Sequence, residues 1–117
     1  MITILDYGLG NVGSIQNMLK KVGTKSRISS EAHILNTSTA LIIPGVGSFD
    51  TGINLLEKKG LTDILSELAL ETKIPILGIC LGMQLMTQES EEGKKKGLGW
   101  INASTNKLPR HSGKVPN

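Results

Sequence analysis

The fold of this 117-residue chain is decided by the stretch Ile76-Leu77-Gly78-Ile79-Cys80-Leu81-Gly82-Met83-Gln84. Its apolar start, within Pro75–Ile79, predicts a buried strand, and the apolar spacing from Leu81 to about Gln88 predicts a helix. Between them lies G-x-C-x-G, the cysteine counterpart of the nucleophile elbow, a strained strand-to-helix turn that lifts its central side chain above the sheet edge. The backbone passes so close that glycine is expected at Gly78 and Gly82.

The elbow predicts that Cys80 is a nucleophile. The turn places its sulfur at the start of a helix, whose dipole favours the thiolate. The following backbone N–H, that of Leu81, points to where an oxyanion would form. A single cysteine is more often a small buried residue, but the two flanking glycines favour the nucleophile.

A second glycine-rich loop, Pro44-Gly45-Val46-Gly47-Ser48, follows the predicted strand Ala40–Ile43. The carboxyl ends of parallel strands share one edge of a sheet, where ligands bind. We therefore expect this loop beside the elbow, with the N–H of Val46 as a second oxyanion donor. The alternative is a tight turn that only reverses the chain.

Short apolar strands alternate with helical patterns along the chain. Ile2–Leu5 is a further predicted strand, and Lys25–Ile28 is a weaker one. Helical spacing runs from Asn11 to Val22 and recurs in Phe49–Lys59 and Leu61–Leu68. This alternation predicts an α/β fold, a doubly wound and mostly parallel sheet with helices on both faces.

A third segment, Gly8-Leu9-Gly10-Asn11-Val12-Gly13, matches the dinucleotide fingerprint G-x-G-x-x-G, with Glu31 at a suitable distance to hold a ribose. Asp6 and Tyr7 separate the strand from its first glycine, and so short a fingerprint often occurs by chance. Nicotinamide or flavin binding is therefore an alternative, while the main interpretation expects no cofactor.

Composition excludes several classes of protein. With 38% apolar and 20% charged residues the chain is a globular sequence. No apolar run approaches the roughly 18 residues of a membrane span, and Met1–Asp6 lacks the basic start of a secretory signal. Carboxylates and histidines are scattered without the spacing of metal ligands. The expected location is the cytoplasm, with no metal site and no membrane partner.

The net charge of +3 is unevenly distributed. Residues 1–93 carry 7 basic and 10 acidic side chains, whereas residues 94–117 carry 6 basic and no acidic ones. We predict one domain, with an α/β core over 1–93 and a basic, irregular tail over 94–117. Lys94–Lys96 is interpreted as a solvated loop and not as a nucleic-acid site. The alternation of strands and helices breaks off in this tail, which predicts a truncated domain.

Together these motifs resemble the class I (triad-type) glutamine amidotransferases, and among them the glutaminase subunits of imidazole glycerol phosphate synthase in histidine biosynthesis. The resemblance runs from Met1 to Asn117 and is most specific around Cys80. It rests on five segments: Asp6–Asn11, Pro44–Phe49, Gly78–Gln84, Ser90–Gly93 and Gly97–Trp100.

The resemblance implies a mechanism. Cys80 would attack the side-chain amide of glutamine, giving a thioester and ammonia, while the N–H groups of Val46 and Leu81 bind the oxyanion. Gly47 and Gln84 would help to hold glutamine. Ammonia would pass to a cyclase subunit, the partner in a heterodimer, which makes imidazole glycerol phosphate and an aminoimidazole carboxamide ribotide.

The resemblance also implies that activity depends on the cyclase and on residues further along the domain. The first loop with Asn11 would lie near the cyclase, without which the glutaminase would be nearly idle. The triad histidine and glutamate of the family lie further along a domain of roughly 200 residues, and neither His33 nor His111 matches them. We therefore expect the 117 residues alone to be catalytically inert and, as a half-covered sheet, poorly soluble.

Two further alternatives remain, one within glutamine chemistry and one outside it. The segment Leu98–Ala103 also suits the glutaminase subunits of sugar amidotransferases in surface-polysaccharide synthesis. A non-catalytic subunit with a degenerate site is the other alternative, and it predicts that Cys80 resists alkylation.

Overall fold

The computed structural model describes residues 1–108. Its main sheet has four parallel strands in the spatial order β2-β1-β3-β4. They are β1 (Ile2–Leu5), β2 (Ser26–Ser29), β3 (Ala40–Ile43) and β4 (Ile76–Gly78). The predicted parallel α/β sheet is therefore confirmed.

Five α-helices accompany the sheet over the described residues. They are α1 (Val12–Lys21), α2 (Ala32–Asn36), α3 (Phe49–Lys58), α4 (Thr62–Glu67) and α5 (Leu81–Leu85). A π-helical turn, Leu68–Thr72, continues α4. Two short strands, β5 (Glu89–Ser90) and β6 (Ser104–Thr105), pair in parallel as a separate small sheet. No described helix is both long and apolar enough to cross a membrane.

The order of the strands determines which face each helix covers. The chain passes from β1 to β2 in one direction and reaches β3 and β4 in the other, so right-handed crossovers place α1 on one face and α2, α3 and α4 on the other. The main core lies on the second face. Its buried members include Leu5, Leu41 and Ile43 of the strands, Phe49, Ile53 and Leu56 of α3, and Leu81 and Leu85 of α5.

Helix α5 is shorter than predicted. The apolar pattern suggests a helix to Gln88, but the helix ends at Leu85. The carbonyl of Leu85 accepts the N–H of Leu98 at 2.8 Å, and that of Met86 accepts the N–H of Ile101 at 3.0 Å. These bonds from a distant segment replace those that would continue the helix.

The segment after Gly93 packs closely against the core. Leu98 and Trp100 pack against the buried cluster, and the Trp100 indole N–H donates to Ser66 Oγ at 3.0 Å. Within residues 1–108, the first part of the predicted tail is therefore packed onto the α/β core. The remainder of the predicted tail, including His111, lies outside the described residues.

Candidate active site

The site lies where the order of the strands reverses. Strands β1 and β3 are neighbours, and the chain leaves their carboxyl ends toward opposite faces, which opens the crevice where doubly wound sheets bind ligands. The loops that follow β1, β3 and β4 all reach this edge. They are the three glycine-rich segments found in the sequence.

Cys80 occupies the strained position that an elbow requires. Its φ is +53° and its ψ is −120°, a conformation that L-residues rarely adopt. The Ile79 N–H donates to the Ile43 carbonyl at 2.9 Å, and the Met83 N–H donates to the Cys80 carbonyl at 3.0 Å. The thiol is free and exposed. The turn thus presents sulfur to solvent between strand and helix, as predicted.

The two flanking glycines are required by close packing. A Cβ on Gly82 would overlap the carbonyl oxygen of Ile43, and one on Gly78 would lie 2.6 Å from the Met83 Cα. Both obstacles are backbone atoms, which cannot move aside as a flexible side chain can. The geometry therefore supports the sequence argument for glycine at these two positions.

The expected oxyanion donors are not assembled in this conformation. The Leu81 N–H already donates to the Gly45 carbonyl at 3.2 Å. That carbonyl belongs to the Gly45–Val46 peptide, which is trans, so its N–H points away from its own carbonyl. The Val46 N–H is therefore directed away from Leu81. An oxyanion would reach both donors only after this peptide had turned over.

Tyr7 holds the start of the same loop. Its side chain is fully buried, and its hydroxyl donates to the Pro44 carbonyl at 2.6 Å. Burial raises the pKa of Tyr7 to about 12, so the hydroxyl stays a donor at physiological pH. Sequence reasoning missed this contact and used Tyr7 only to weaken the dinucleotide fingerprint. The available signal was an aromatic residue directly after a buried strand.

The first loop, which follows β1 and contains Gly8–Gly13, packs onto the loop that follows β3. A Cβ on Gly10 would lie 2.9 Å from the Pro44 Cβ and 3.0 Å from the Gly45 nitrogen. The side chain of Asn11 accepts the Ser14 N–H at 3.1 Å and caps α1. The close approach of Gly10 thus serves loop packing, which favours this role over dinucleotide binding.

The other candidates lie in the loop after β3, in α5 and in α2. Gly47 has a φ of +117°, with open space where a Cβ would point, and Gln84 lies half-buried in α5. His33 is 76% exposed and lies 3.5 Å from Glu31. It follows β2, which is three strand spacings from β4, or about 14 Å. His33 is therefore remote from Cys80.

The described residues bring together no group of three or more side chains that could hold a metal ion. Glu31, which the dinucleotide alternative would use to hold a ribose, lies at the start of α2, and its carboxylate is 3.5 Å from the His33 imidazole.

Comparison with known proteins identifies the family. The model of the family "Glutamine amidotransferase class-I" matches residues 3–115. The chain belongs to the class-I glutamine amidotransferase family. A Methanococcus maripaludis protein named imidazole glycerol phosphate synthase subunit HisH 2 is 54% identical over 108 residues, which are 92% of this chain and 54% of that protein. The Pseudomonas aeruginosa protein of the same name is 44% identical over 117 residues, 99% of this chain and 58% of its own length.

This amidotransferase chain spans about half the length of the curated relatives that it matches. Imidazole glycerol phosphate synthase subunit HisH of Leptospira interrogans, 46% identical, is covered over 53% of its length. A solved structure titled "Crystal structure of glutamine amidotransferase" matches 90% of this chain and 55% of its own, with a TM-score of 0.74 at 23% identity. That likeness supports the fold.

Proposed function

We propose that the complete protein is a glutaminase that supplies ammonia to a cyclase subunit of imidazole glycerol phosphate synthase. One observation carries the proposal: Cys80 is an exposed thiol at φ +53° on a strand-to-helix turn, between two glycines that the packing demands. Family membership and the names of the relatives support the choice of glutamine as substrate.

The reaction would proceed in two acyl-transfer steps. The Cys80 thiolate bonds to the side-chain carbonyl carbon of glutamine, and the carbonyl π pair moves to oxygen. When that pair returns, the C–N bond breaks, and nitrogen leaves as ammonia after taking a proton from the general acid. Water then attacks the thioester and releases glutamate and the thiol. Gly47 and Gln84 are proposed to hold the substrate.

The general base must come from outside residues 1–108 in this mechanism. His33 follows β2, the edge strand farthest from β4, and the family resemblance places the triad histidine and glutamate further along. Loss of a triad partner costs several powers of ten in rate. A polypeptide of these 117 residues alone is therefore expected to release no measurable ammonia from glutamine.

The resting conformation suggests how the glutaminase is controlled. While the Leu81 N–H is bonded to the Gly45 carbonyl, one oxyanion donor is engaged and the other points away. Removing a single such donor costs about 10²–10³ in rate. Val46 is 63% exposed, so its peptide has room to turn over. We propose that docking of the cyclase drives this turn.

The test is glutamine hydrolysis by the complete protein with and without a cyclase subunit. We expect ammonia release that depends on the cyclase and is reduced at least 10³-fold in Cys80→Ala. The glutamine analogue 6-diazo-5-oxo-L-norleucine should label Cys80, the single cysteine among these 117 residues, as seen by peptide mass. An unlabelled Cys80 with no ammonia release would favour a non-catalytic subunit.

The identity of the acceptor needs its own measurement. Leu98–Ala103 also suits a sugar amidotransferase, and the partner holds the acceptor in either case. Stimulation by the histidine-pathway cyclase, but not by a sugar-modifying synthase, is the expected result. The reverse would assign the chain to surface-polysaccharide synthesis. A cytoplasmic location stays a prediction.

A further inference from the structure

Tyr7 is a buried titratable group that the proposed reaction does not use. Its ring is fully buried below the crevice, and its hydroxyl ends 2.6 Å from the Pro44 carbonyl. A Cβ at Gly45 would overlap this hydroxyl. Tyr7 therefore lies against the residue about which the oxyanion peptide must turn.

Gly45 is flanked by two peptides that are each held by one hydrogen bond. The Pro44–Gly45 peptide is held through its carbonyl by Tyr7. The Gly45–Val46 peptide is held through its carbonyl by the Leu81 N–H. If the second peptide turns over while the first stays fixed, rotation is confined to the bonds on either side of it. The Val46 N–H then arrives at one defined position.

Tyr7 also belongs to the first loop, which packs on the same atoms. Gly8 and Gly10 have φ values of +104° and +93°, and Gly10 approaches both Pro44 and Gly45 closely. A displacement of the Gly8–Asn11 segment would therefore reach the Pro44–Gly45 peptide by two routes. One is steric, through Gly10, and the other is the Tyr7 hydrogen bond.

We propose that Tyr7 is a positioning residue for glutamine hydrolysis, whose hydroxyl fixes the Pro44–Gly45 peptide and thereby transmits movement of the first loop to the oxyanion donors. This inference rests on the proposed glutaminase function. It adds a coupling between the loop after β1 and the loop after β3. Because burial keeps the pKa of Tyr7 near 12, the coupling is independent of pH across the working range.

The test uses the complete glutaminase with its cyclase subunit and the variant Tyr7→Phe, which keeps the ring and removes only the hydroxyl. We expect kcat for glutamine in the assembled enzyme to fall on the order of ten-fold, less than the loss of a whole oxyanion donor. KM should stay within about two-fold, since the donors act in the transition state. The rate without cyclase should fall by a smaller factor than the stimulated rate, so the stimulation ratio falls.

Thr3→Val is the matched control. It also removes one buried hydroxyl from β1, but that hydroxyl bonds to Ser38 Oγ at 2.5 Å, away from the elbow. Thr3→Val should lower the melting temperature and leave the stimulation ratio unchanged. Substituting 3-fluorotyrosine for Tyr7 keeps the hydroxyl and should keep the stimulation.

Three results would overturn the inference. One is wild-type stimulation in Tyr7→Phe, and another is an equal loss of the idle and stimulated rates, as general destabilisation produces. The third is loss of stimulation with 3-fluorotyrosine as well. Failure of the proposed function is distinguishable, because then the wild-type assembly releases no ammonia, or Cys80→Ala releases as much as the wild type.

Discussion

Two glycines that lie in helices of this chain differ in the space around them. Gly82 lies in α5, where an added methyl group would overlap the Ile43 carbonyl oxygen, whereas Gly13 lies in α1 with its nearest neighbouring atom 3.9 Å from a Cβ. The same substitution should therefore have opposite effects at the two residues.

Gly82→Ala should lower the free energy of unfolding of the complete protein by about 1–3 kcal/mol, the usual cost of overpacking against rigid atoms. Gly13→Ala should raise it by about 0.5–1 kcal/mol, because alanine restricts the unfolded chain and favours helix. Urea unfolding monitored by circular dichroism measures both. A Gly82→Ala protein as stable as wild type would mean that the elbow is looser than the packing indicates.

At the scale of elements, Asp50 joins the start of α3 to the segment that follows β5. Its carboxylate accepts the Lys94 N–H at 3.0 Å and the Lys95 N–H at 2.9 Å. The Lys95 side chain extends along α3, and its Nζ lies 2.7 Å from Glu57 Oε1. A Cβ on Gly93 would overlap the Asp50 carboxylate. The lysine run is thus held by its backbone. Lys94 and Lys96 are exposed, as expected of a solvated loop, while Lys95 is half-buried.

These bonds give Asp50 a pH dependence of known sign. The backbone N–H groups of Lys94 and Lys95 hold the pKa of Asp50 below its ordinary 3.8. A depressed native pKa stabilises the fold above the unfolded pKa, and that contribution is lost as pH falls through 3.8 and then through the native value. Asp50→Asn should therefore lower the melting temperature at pH 7, and the difference from wild type should shrink below about pH 4.

Asp63→Asn provides the control for this prediction. Asp63 also lies in the first turn of a helix, α4, and among residues 1–108 its carboxylate accepts no hydrogen bond. Amide exchange at Lys94 and Lys95 should accelerate in Asp50→Asn and stay slow in Asp63→Asn. Equal effects of the two variants at pH 7 would mean that only the helix dipole matters.

Features that a few consecutive residues encode can be predicted from this sequence, whereas contacts between distant residues cannot. Strands β1, β3 and β4 and the elbow are each encoded within a few consecutive residues. The predicted fold is confirmed, and Cys80 lies on the strand-to-helix turn between β4 and α5. The bond from Tyr7 to Pro44 joins residues 37 apart, and that from Lys94 to Asp50 joins residues 44 apart. No local pattern encodes such pairs. The early end of α5 and the engaged Leu81 N–H were missed for the same reason.

At the scale of the whole molecule, the two faces of the sheet are unequally covered. The face under α2, α3 and α4 holds the main core, but α1 contributes no fully buried residue to the other face. Met18 of α1 is 68% exposed, and Val22, directly after the helix, is 72% exposed. Strand β4 is an edge of the sheet, and its Leu77 is 57% exposed. An unpaired apolar edge is a template for association.

A polypeptide of these 117 residues alone should therefore self-associate at micromolar concentrations, which sedimentation velocity would detect. Leu77→Lys should reduce this association, because a charged side chain on an edge strand opposes pairing with a second chain. Leu70→Lys is the matched control, since Leu70 is 52% exposed but lies on the π-helical turn and not on β4. If Leu70→Lys reduced association as much as Leu77→Lys, general charge and not the β4 edge would govern it. A monomer with a sharp cooperative melt would show that the exposed face is tolerated.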